Sequence, residues 1–87
     1  MSITRNIEFI FTKTTDYFKI PLIFLLEQTH NLKQIILNEC ITKLNLILFE
    51  DNIIIYDINN DILINTVQDL IENKTKICKI IIKPIAY

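Results

Sequence analysis

The chain has 87 residues, of which 51% are hydrophobic and none is glycine, and its formal net charge is −1. The length fits one domain, and the lysines are interleaved with acidic residues, so the sequence has no basic stripe of the kind that binds nucleic acid. Because phosphate-binding loops and dinucleotide fingerprints need glycine where the backbone approaches the ligand, the composition excludes both.

The N-terminal part of the chain predicts a β-hairpin. Hydrophobic residues recur with a period of two over residues 7–11, which is typical of a strand with one buried face. Residues 14–16 are polar and predict a turn, and residues 17–26 continue as a second extended segment. Pro21 lacks an amide donor and therefore indicates an edge strand or a bulge.

A helix is expected after the hairpin. Asn31 and Gln34 have the spacing of a capping box, which predicts that the helix begins at this point. The hydrophobic residues that follow recur at intervals of three and four, as in a helix with one buried stripe. They are Leu32, Ile35, Ile36, Cys40, Ile41 and Leu44.

Three further elements are predicted in the C-terminal half. Residues 46–49 and 53–58 are either two strands joined by a tight turn or one strand after an irregular approach. Residues 62–72 predict a short helix. Residues 77–82 are a nearly continuous β-branched run, which indicates a central strand buried on both faces.

This order, ββαβ(β)αβ with a central last strand, predicts an α+β fold of the β-grasp type. We expect a single domain over residues 1–87, with a folded core at 5–83 and a C-terminal tail at 84–87. The alternative is a ferredoxin-like βαββαβ fold, in which residues 7–11 are an appendage and residues 17–26 form the first strand.

The sequence predicts neither an enzyme nor a cofactor or metal site. The one histidine, His30, has no serine partner beyond the terminal Ser2, and Cys40 and Cys78 lie in hydrophobic patterns that predict free buried thiols. Residues 57–61 are similar to the start of a calcium loop, but glycine is missing from the required position, so an Asx-rich turn is expected. The N-terminus has no apolar leader, which predicts a cytoplasmic protein.

The C-terminal segment resembles a known family. Residues 76–87 are similar to the last strand and tail of the ubiquitin-like autophagy modifier called autophagy-related protein twelve, whose tail ends in alanine, an aromatic residue and glycine. Ala86 and Tyr87 match the first two of these positions, and no glycine follows. Val67 and Leu70 match hydrophobic positions of the family's short helix, although the family's Phe-x-Pro-x-Pro stretch is absent. The pattern also agrees over residues 6–13, Leu32–Leu44 and 53–60.

The resemblance implies a ubiquitin-like β-grasp protein that binds autophagy-related protein five. The activating enzyme of such modifiers adenylates a glycine carboxylate in a narrow channel, where Tyr87 would clash, so binding is expected to be noncovalent. Tyr87 would fill a pocket on the partner, and Ile85 and Ala86 would add hydrophobic contact area.

In that reading the complex is a platform in the ubiquitin-like conjugation pathway. The complex would direct the conjugating enzyme that lipidates another ubiquitin-like protein. The chain itself would meet the autophagosomal or plastid membrane only through the complex. A protein of the ubiquitin-fold modifier type, which has the same fold, is an alternative to this family. The alternative from another class is a ferredoxin-like RNA-binding or regulatory module.

Overall fold

Five strands and three α-helices make up the part of the chain that the computed structural model describes, namely residues 5–12, 14–29 and 31–83. A short 3-10 turn, Glu50–Asn52, precedes the third strand. In chain order the elements are β1 (Asn6–Phe11), β2 (Tyr17–Pro21), α1 (Leu22–Glu27), α2 (Leu32–Leu44), β3 (Ile53–Asp57), β4 (Ile62–Leu63), α3 (Val67–Glu72) and β5 (Ile77–Ile82).

The strands form one mixed sheet in the order β2-β1-β5-β3-β4. β1 lies antiparallel to β2 and parallel to β5, and β3 lies antiparallel to both β4 and β5. The prediction that the last strand is central is therefore confirmed, as is the edge position of β2. Burial of the last strand on both faces is not: Cys78 and Ile80 are buried, whereas Ile77, Lys79 and Ile81 on the other face are only partly buried. The molecule is a compact single α+β domain whose strand order is consistent with a β-grasp.

The ferredoxin-like alternative is wrong for this sheet. It requires residues 7–11 to be an appendage, whereas β1 pairs with two neighbours, β2 and β5. It also requires a first strand over residues 17–26, and the strand in that segment ends at Pro21.

One hydrophobic core joins the sheet to the helices. Alternate residues of β1, β2, β3 and β5 are buried, and they belong to the same cluster as the buried face of α2. The rings of Phe9 and Phe18 pack with centroids 5.6 Å apart. Fully burying a side chain of this size contributes about 1.5–3 kcal/mol, so a few such residues determine the stability of a small domain.

The predicted helix Leu32–Leu44 is confirmed, and its two ends explain its length. At the start, the Asn31 Oδ1 accepts a hydrogen bond from the Gln34 N–H at 2.9 Å. At the end, Asn45 adopts a left-handed conformation with φ of 53°; its N–H donates to the Ile41 carbonyl at 3.1 Å, and the Leu46 N–H donates to the Cys40 carbonyl at 3.0 Å. Glycine usually takes this position, and asparagine is the residue that best replaces it.

Two sequence-based boundaries were wrong, and one open alternative is decided. The extended segment 17–26 is a strand only to Pro21, and residues 22–27 form α1, in which Leu22 and Leu25 are buried at a spacing of three. The helix predicted over 62–72 begins only at Val67. Ile62 and Leu63, the first two residues of the predicted range, instead form β4. Of the two readings of residues 46–58, the single strand after an irregular approach is correct, since the strand spans Ile53–Asp57.

The start of α3 has a clear physical cause. The Thr66 Oγ1 accepts from the Asp69 N–H at 3.1 Å, and the Asp69 Oδ2 accepts from the Thr66 N–H at 3.0 Å. This reciprocal pair is a capping box, which satisfies two amide groups at the helix start. The helix therefore begins after Thr66 and not at the hydrophobic residues before it.

Candidate functional site

The three residues predicted to contact a partner, Ile85, Ala86 and Tyr87, lie outside the described residues, as does His30. The structure describes the chain up to Lys83. The candidate site is therefore built from the residues at the end of β5, where the C-terminal tail begins.

The backbone at this point is fixed by two neighbouring elements. Ile82 lies opposite Ile53 in the β3–β5 ladder, and the Lys83 N–H donates to the Asn52 carbonyl oxygen at 2.7 Å. We call Phe49, Asn52, Ile82 and Lys83 the tail base. The tail thus starts from the central strand of the sheet, beside the beginning of β3.

Asn52 organises the tail base. Its side chain is buried, with 8% exposed, and its Oδ1 accepts from the Phe49 N–H at 2.7 Å. Its own N–H donates to the Phe49 carbonyl at 3.0 Å. Asn52 consequently holds the 3-10 turn through its side chain and the end of β5 through its carbonyl. No sequence pattern points to this residue, because the polar run 50–52 indicates only a break between strands.

Two large hydrophobic side chains are exposed in residues 46–49, directly before the 3-10 turn. Ile47 is 72% exposed and Phe49 is 58% exposed, whereas Leu46 and Leu48 pack against the core. Residues 46–49 are all hydrophobic, so their sequence does not indicate which side chains face inward. Exposed hydrophobic residues grouped near one another often mark an interaction surface.

A cavity of about 240 Å³ opens beside the tail base. We call it the edge groove. Its lining includes Ile54 and Ile55 of β3, Lys33 of α2 and Lys83. The remaining described lining residues are Leu63, Ile64 and Asn65.

A buried polar cluster lies around Asp57 at the other end of β3. The Asp57 carboxylate accepts hydrogen bonds from the Thr75 hydroxyl, from the Asn60 amide group at 2.8 Å and from the Asn60 backbone N–H at 3.0 Å. Burial alone would raise the pKa of Asp57, but these hydrogen bonds outweigh it and hold the pKa below its ordinary value. The Arg5 guanidinium donates to the Thr75 carbonyl at 2.9 Å and extends the cluster.

This cluster has a structural role. The Asp57 carboxylate oxygens already accept hydrogen bonds from Asn60 and Thr75 of the same chain. These bonds join the Asx-rich turn 57–61 to the segment after α3. The turn that the sequence predicts at these residues is confirmed. Within the part of the chain that the structure describes, no group of three histidine, cysteine or acidic residues could hold a metal ion.

The two cysteines are free and buried, as expected. Burial, and then the negative charge of Glu39, raises the pKa of Cys40 to about 11. Burial, and then the negative charge of Asp57, raises the pKa of Cys78 to about 12. Because the thiolate is the reactive form of cysteine, neither side chain is a nucleophile at neutral pH.

A second group of exposed hydrophobic residues lies on α1. Ile23, Phe24 and Leu26 are each at least 40% exposed, while Leu22 and Leu25 of the same helix are buried. A cleft of only about 50 Å³ separates Phe24 from α2. This surface is small, and the cleft is too narrow for a ligand larger than one or two water molecules.

No helix among residues 5–12, 14–29 and 31–83 is long and apolar enough to cross a membrane. Comparison of the chain with protein-family models, with curated proteins and with solved structures gives no match.

Proposed function

We propose that the chain is a ubiquitin-like β-grasp protein of the autophagy conjugation system, similar to the autophagy-related protein twelve family, and that it binds autophagy-related protein five. The observation that carries the proposal is the position of β5. This strand is central, lies parallel to β1 and runs directly into residues 84–87. A ubiquitin-like protein needs this arrangement, because its tail must extend from a rigid strand to reach a partner.

The tail base supports such a role physically. The hydrogen bond from Lys83 to Asn52 fixes the point from which the tail leaves the domain. Because this point is already fixed in the free protein, holding it in place costs no further entropy on binding. In this proposal Tyr87 fills a pocket on the partner, and Ile85 and Ala86 contribute hydrophobic area at about 25 cal/mol per Å² buried.

The exposed Phe49 extends the proposed contact. It lies in the tail base and presents a large hydrophobic side chain, 58% exposed, next to the segment that carries the tail. An aromatic residue loses little rotamer freedom on burial, which makes it an effective contact residue. The partner would therefore cover the tail and Phe49 together.

In this proposal the chain acts as a binding component and makes or breaks no covalent bond itself. The complex would position the conjugating enzyme that transfers another ubiquitin-like protein to a lipid, and the chemistry would belong to those other proteins. Sequencing of the gene tests the noncovalent form of the proposal, because a glycine codon directly after the Tyr87 codon would contradict it.

The proposed role of the tail is tested by calorimetric titration of autophagy-related protein five from the same source. Tyr87→Ala is expected to weaken binding at least tenfold, or about 1.4 kcal/mol, since it removes the aromatic contact residue. Tyr17→Ala is the matched control, because Tyr17 is 58% exposed and lies on the edge strand β2, which β1 separates from β5. Equal affinities for the two variants would show that the tail does not anchor the complex.

A further inference from the structure

We infer that Lys43 blocks the outer edge of β2 and so prevents a second copy of the chain from pairing with that strand. β2 is the last strand on its side of the sheet, and the Lys43 side chain reaches it from α2. When the Lys43 ammonium is absent, the strand that takes its place is β2 of another molecule. The inference concerns self-association and does not depend on the partner contact proposed above.

The hydrogen bonds between β1 and β2 show which backbone groups of β2 face outward. The Phe11 N–H donates to the Asp16 carbonyl, directly before β2 begins. Along an antiparallel ladder only every second residue bonds to the neighbouring strand. Tyr17 and Lys19 therefore direct their N–H and carbonyl groups away from β1. Pro21 belongs to the same outward-facing set but has no N–H to offer.

Lys43 covers one of these outward-facing groups. Its Nζ donates to the Lys19 carbonyl oxygen at 3.2 Å. The same ammonium lies 3.1 Å from the Glu39 Oε2. It also lies 5.9 Å from the centre of the Phe18 ring, a distance at which a cation and an aromatic face attract each other. The Lys43 ammonium is thus held at the strand edge by a carbonyl, a carboxylate and an aromatic ring.

β2 is the longer of the two edge strands, with five residues against two in β4. A longer edge offers more backbone groups to an added strand, and proteins commonly protect such edges with lysine and proline. In β2, Pro21 removes a donor at one end, and Lys43 occupies an acceptor near the middle. The two residues together leave few groups with which a further strand could pair.

The outward-facing groups of β2 are complementary to a second copy of themselves. Two β2 strands that run antiparallel about a two-fold axis at Phe18 place Tyr17 of each copy opposite Lys19 of the other. Each such pair exchanges two N–H···O bonds, and neither bond needs the N–H that Pro21 lacks. The Lys19 carbonyl is an acceptor in both pairs. The Lys43 ammonium therefore removes one bond from each pair and places a positive charge where the second strand would lie.

The test is analytical ultracentrifugation of the full chain from about 10 to about 500 µM, a range in which exposed strand edges associate. The wild type should remain a monomer. Lys43→Met keeps a long side chain but removes the ammonium, and it should lower the dimer dissociation constant at least about tenfold, because the blocked hydrogen bonds can form. Lys76→Met is the matched control and should stay a monomer, since Lys76 is exposed but precedes the central strand β5.

A second change identifies the strand that pairs. Lys19→Pro removes an N–H that points away from β1, a position where an edge strand tolerates proline. Added to Lys43→Met, it should restore the monomer. Amide hydrogen exchange gives a readout for single residues. The Tyr17 and Lys19 amides should exchange faster than those of Phe18 and Ile20 in the monomer, and they should become protected as the Lys43→Met protein is concentrated.

The inference is overturned if the wild type dimerises as tightly as Lys43→Met, or if Lys43→Met stays a monomer over the whole concentration range. Equal dimerisation of Lys76→Met would also contradict it, because any loss of charge would then suffice. A Lys43→Met dimer that persists with Lys19→Pro, or that leaves the Tyr17 and Lys19 amides unprotected, would show that association uses another surface. Unchanged thermal unfolding of each variant shows that the proteins compared are folded.

Discussion

The backbone N–H of Lys83 donates a 2.7 Å hydrogen bond to the carbonyl oxygen of Asn52, and this contact fixes the end of the central strand to the start of β3. Asn52 in turn holds Phe49 through its side chain. One buried asparagine thus connects the last strand, the 3-10 turn and an exposed aromatic residue. The proposed partner contact depends on this arrangement, because the tail directly follows Lys83.

Replacing Asn52 should lower the stability of the domain. Asn52→Ala leaves the Phe49 N–H without its acceptor, and a lost hydrogen bond in a largely buried site costs about 1–2 kcal/mol. Urea unfolding followed by circular dichroism measures the effect. Asn59→Ala, in the exposed turn after β3, is the control and should change the free energy of unfolding by less than about 0.5 kcal/mol. Equal effects of the two changes would contradict the role assigned to Asn52.

The Asp57 carboxyl should make stability depend on acid pH. Hydrogen bonds lower its pKa in the folded state, so the unfolded state binds the proton more tightly and protonation favours unfolding. The stabilisation is present above the ordinary value near 3.8 and is lost as the pH falls through the lower folded pKa.

Urea unfolding between pH 6 and pH 2 tests this expectation. The free energy of unfolding should decline toward low pH, and Asp57→Asn should flatten the decline. Asp69 contributes in the same direction, since N–H donors at Asn65 and Thr66 lower its pKa, so part of the slope should remain. A slope that is unchanged in Asp57→Asn would show that the Asp57 hydrogen bonds do not favour the charged form.

The sequence predicts the parts of this fold that have a strong local pattern. The β-branched run 77–82 identifies the central strand, and the spacing of hydrophobic residues identifies α2. α1 was missed because a continuous hydrophobic run has no period, so a strand and a short helix look alike. β4 was missed because a two-residue strand exists only through its pairing with β3.

The candidate site was less predictable than the fold. The tail residues were singled out by resemblance, whereas Asn52 was not, because its hydrogen bond to Lys83 joins positions far apart in the chain. The edge groove likewise combines residues from α2, β3, β4 and the end of β5. No local pattern encodes such a grouping. The Thr66–Asp69 spacing, in contrast, was a readable signal for the start of α3.

Both thiols should resist modification in the folded protein. Cys40 and Cys78 are fully buried, and their raised pKa values, about 11 and about 12, leave almost no thiolate at pH 7.5. Ellman's reagent should therefore react slowly in buffer and rapidly, with two thiols, in 6 M guanidinium chloride. Fast reaction of either thiol in buffer would contradict its burial.

Replacing Lys74 with glycine should increase the stability of the domain. Lys74 adopts a left-handed conformation with φ of 51°, which costs a residue with a Cβ atom about 1–2 kcal/mol, partly offset by the entropy of glycine in the unfolded chain. Lys74→Gly should raise the free energy of unfolding by about 0.5–1 kcal/mol, and Lys74→Ala should not raise it. Denaturant unfolding decides this, and a less stable Lys74→Gly protein would contradict the assigned backbone conformation.

The central claim is that this chain binds autophagy-related protein five without a covalent bond. The most direct measurement is to combine the two proteins with the activating enzyme and ATP, then compare native gel filtration with denaturing electrophoresis. The account predicts that the proteins co-elute under native conditions and separate completely in denaturant. Failure to co-elute, or a band with the summed mass that persists in denaturant, would contradict it.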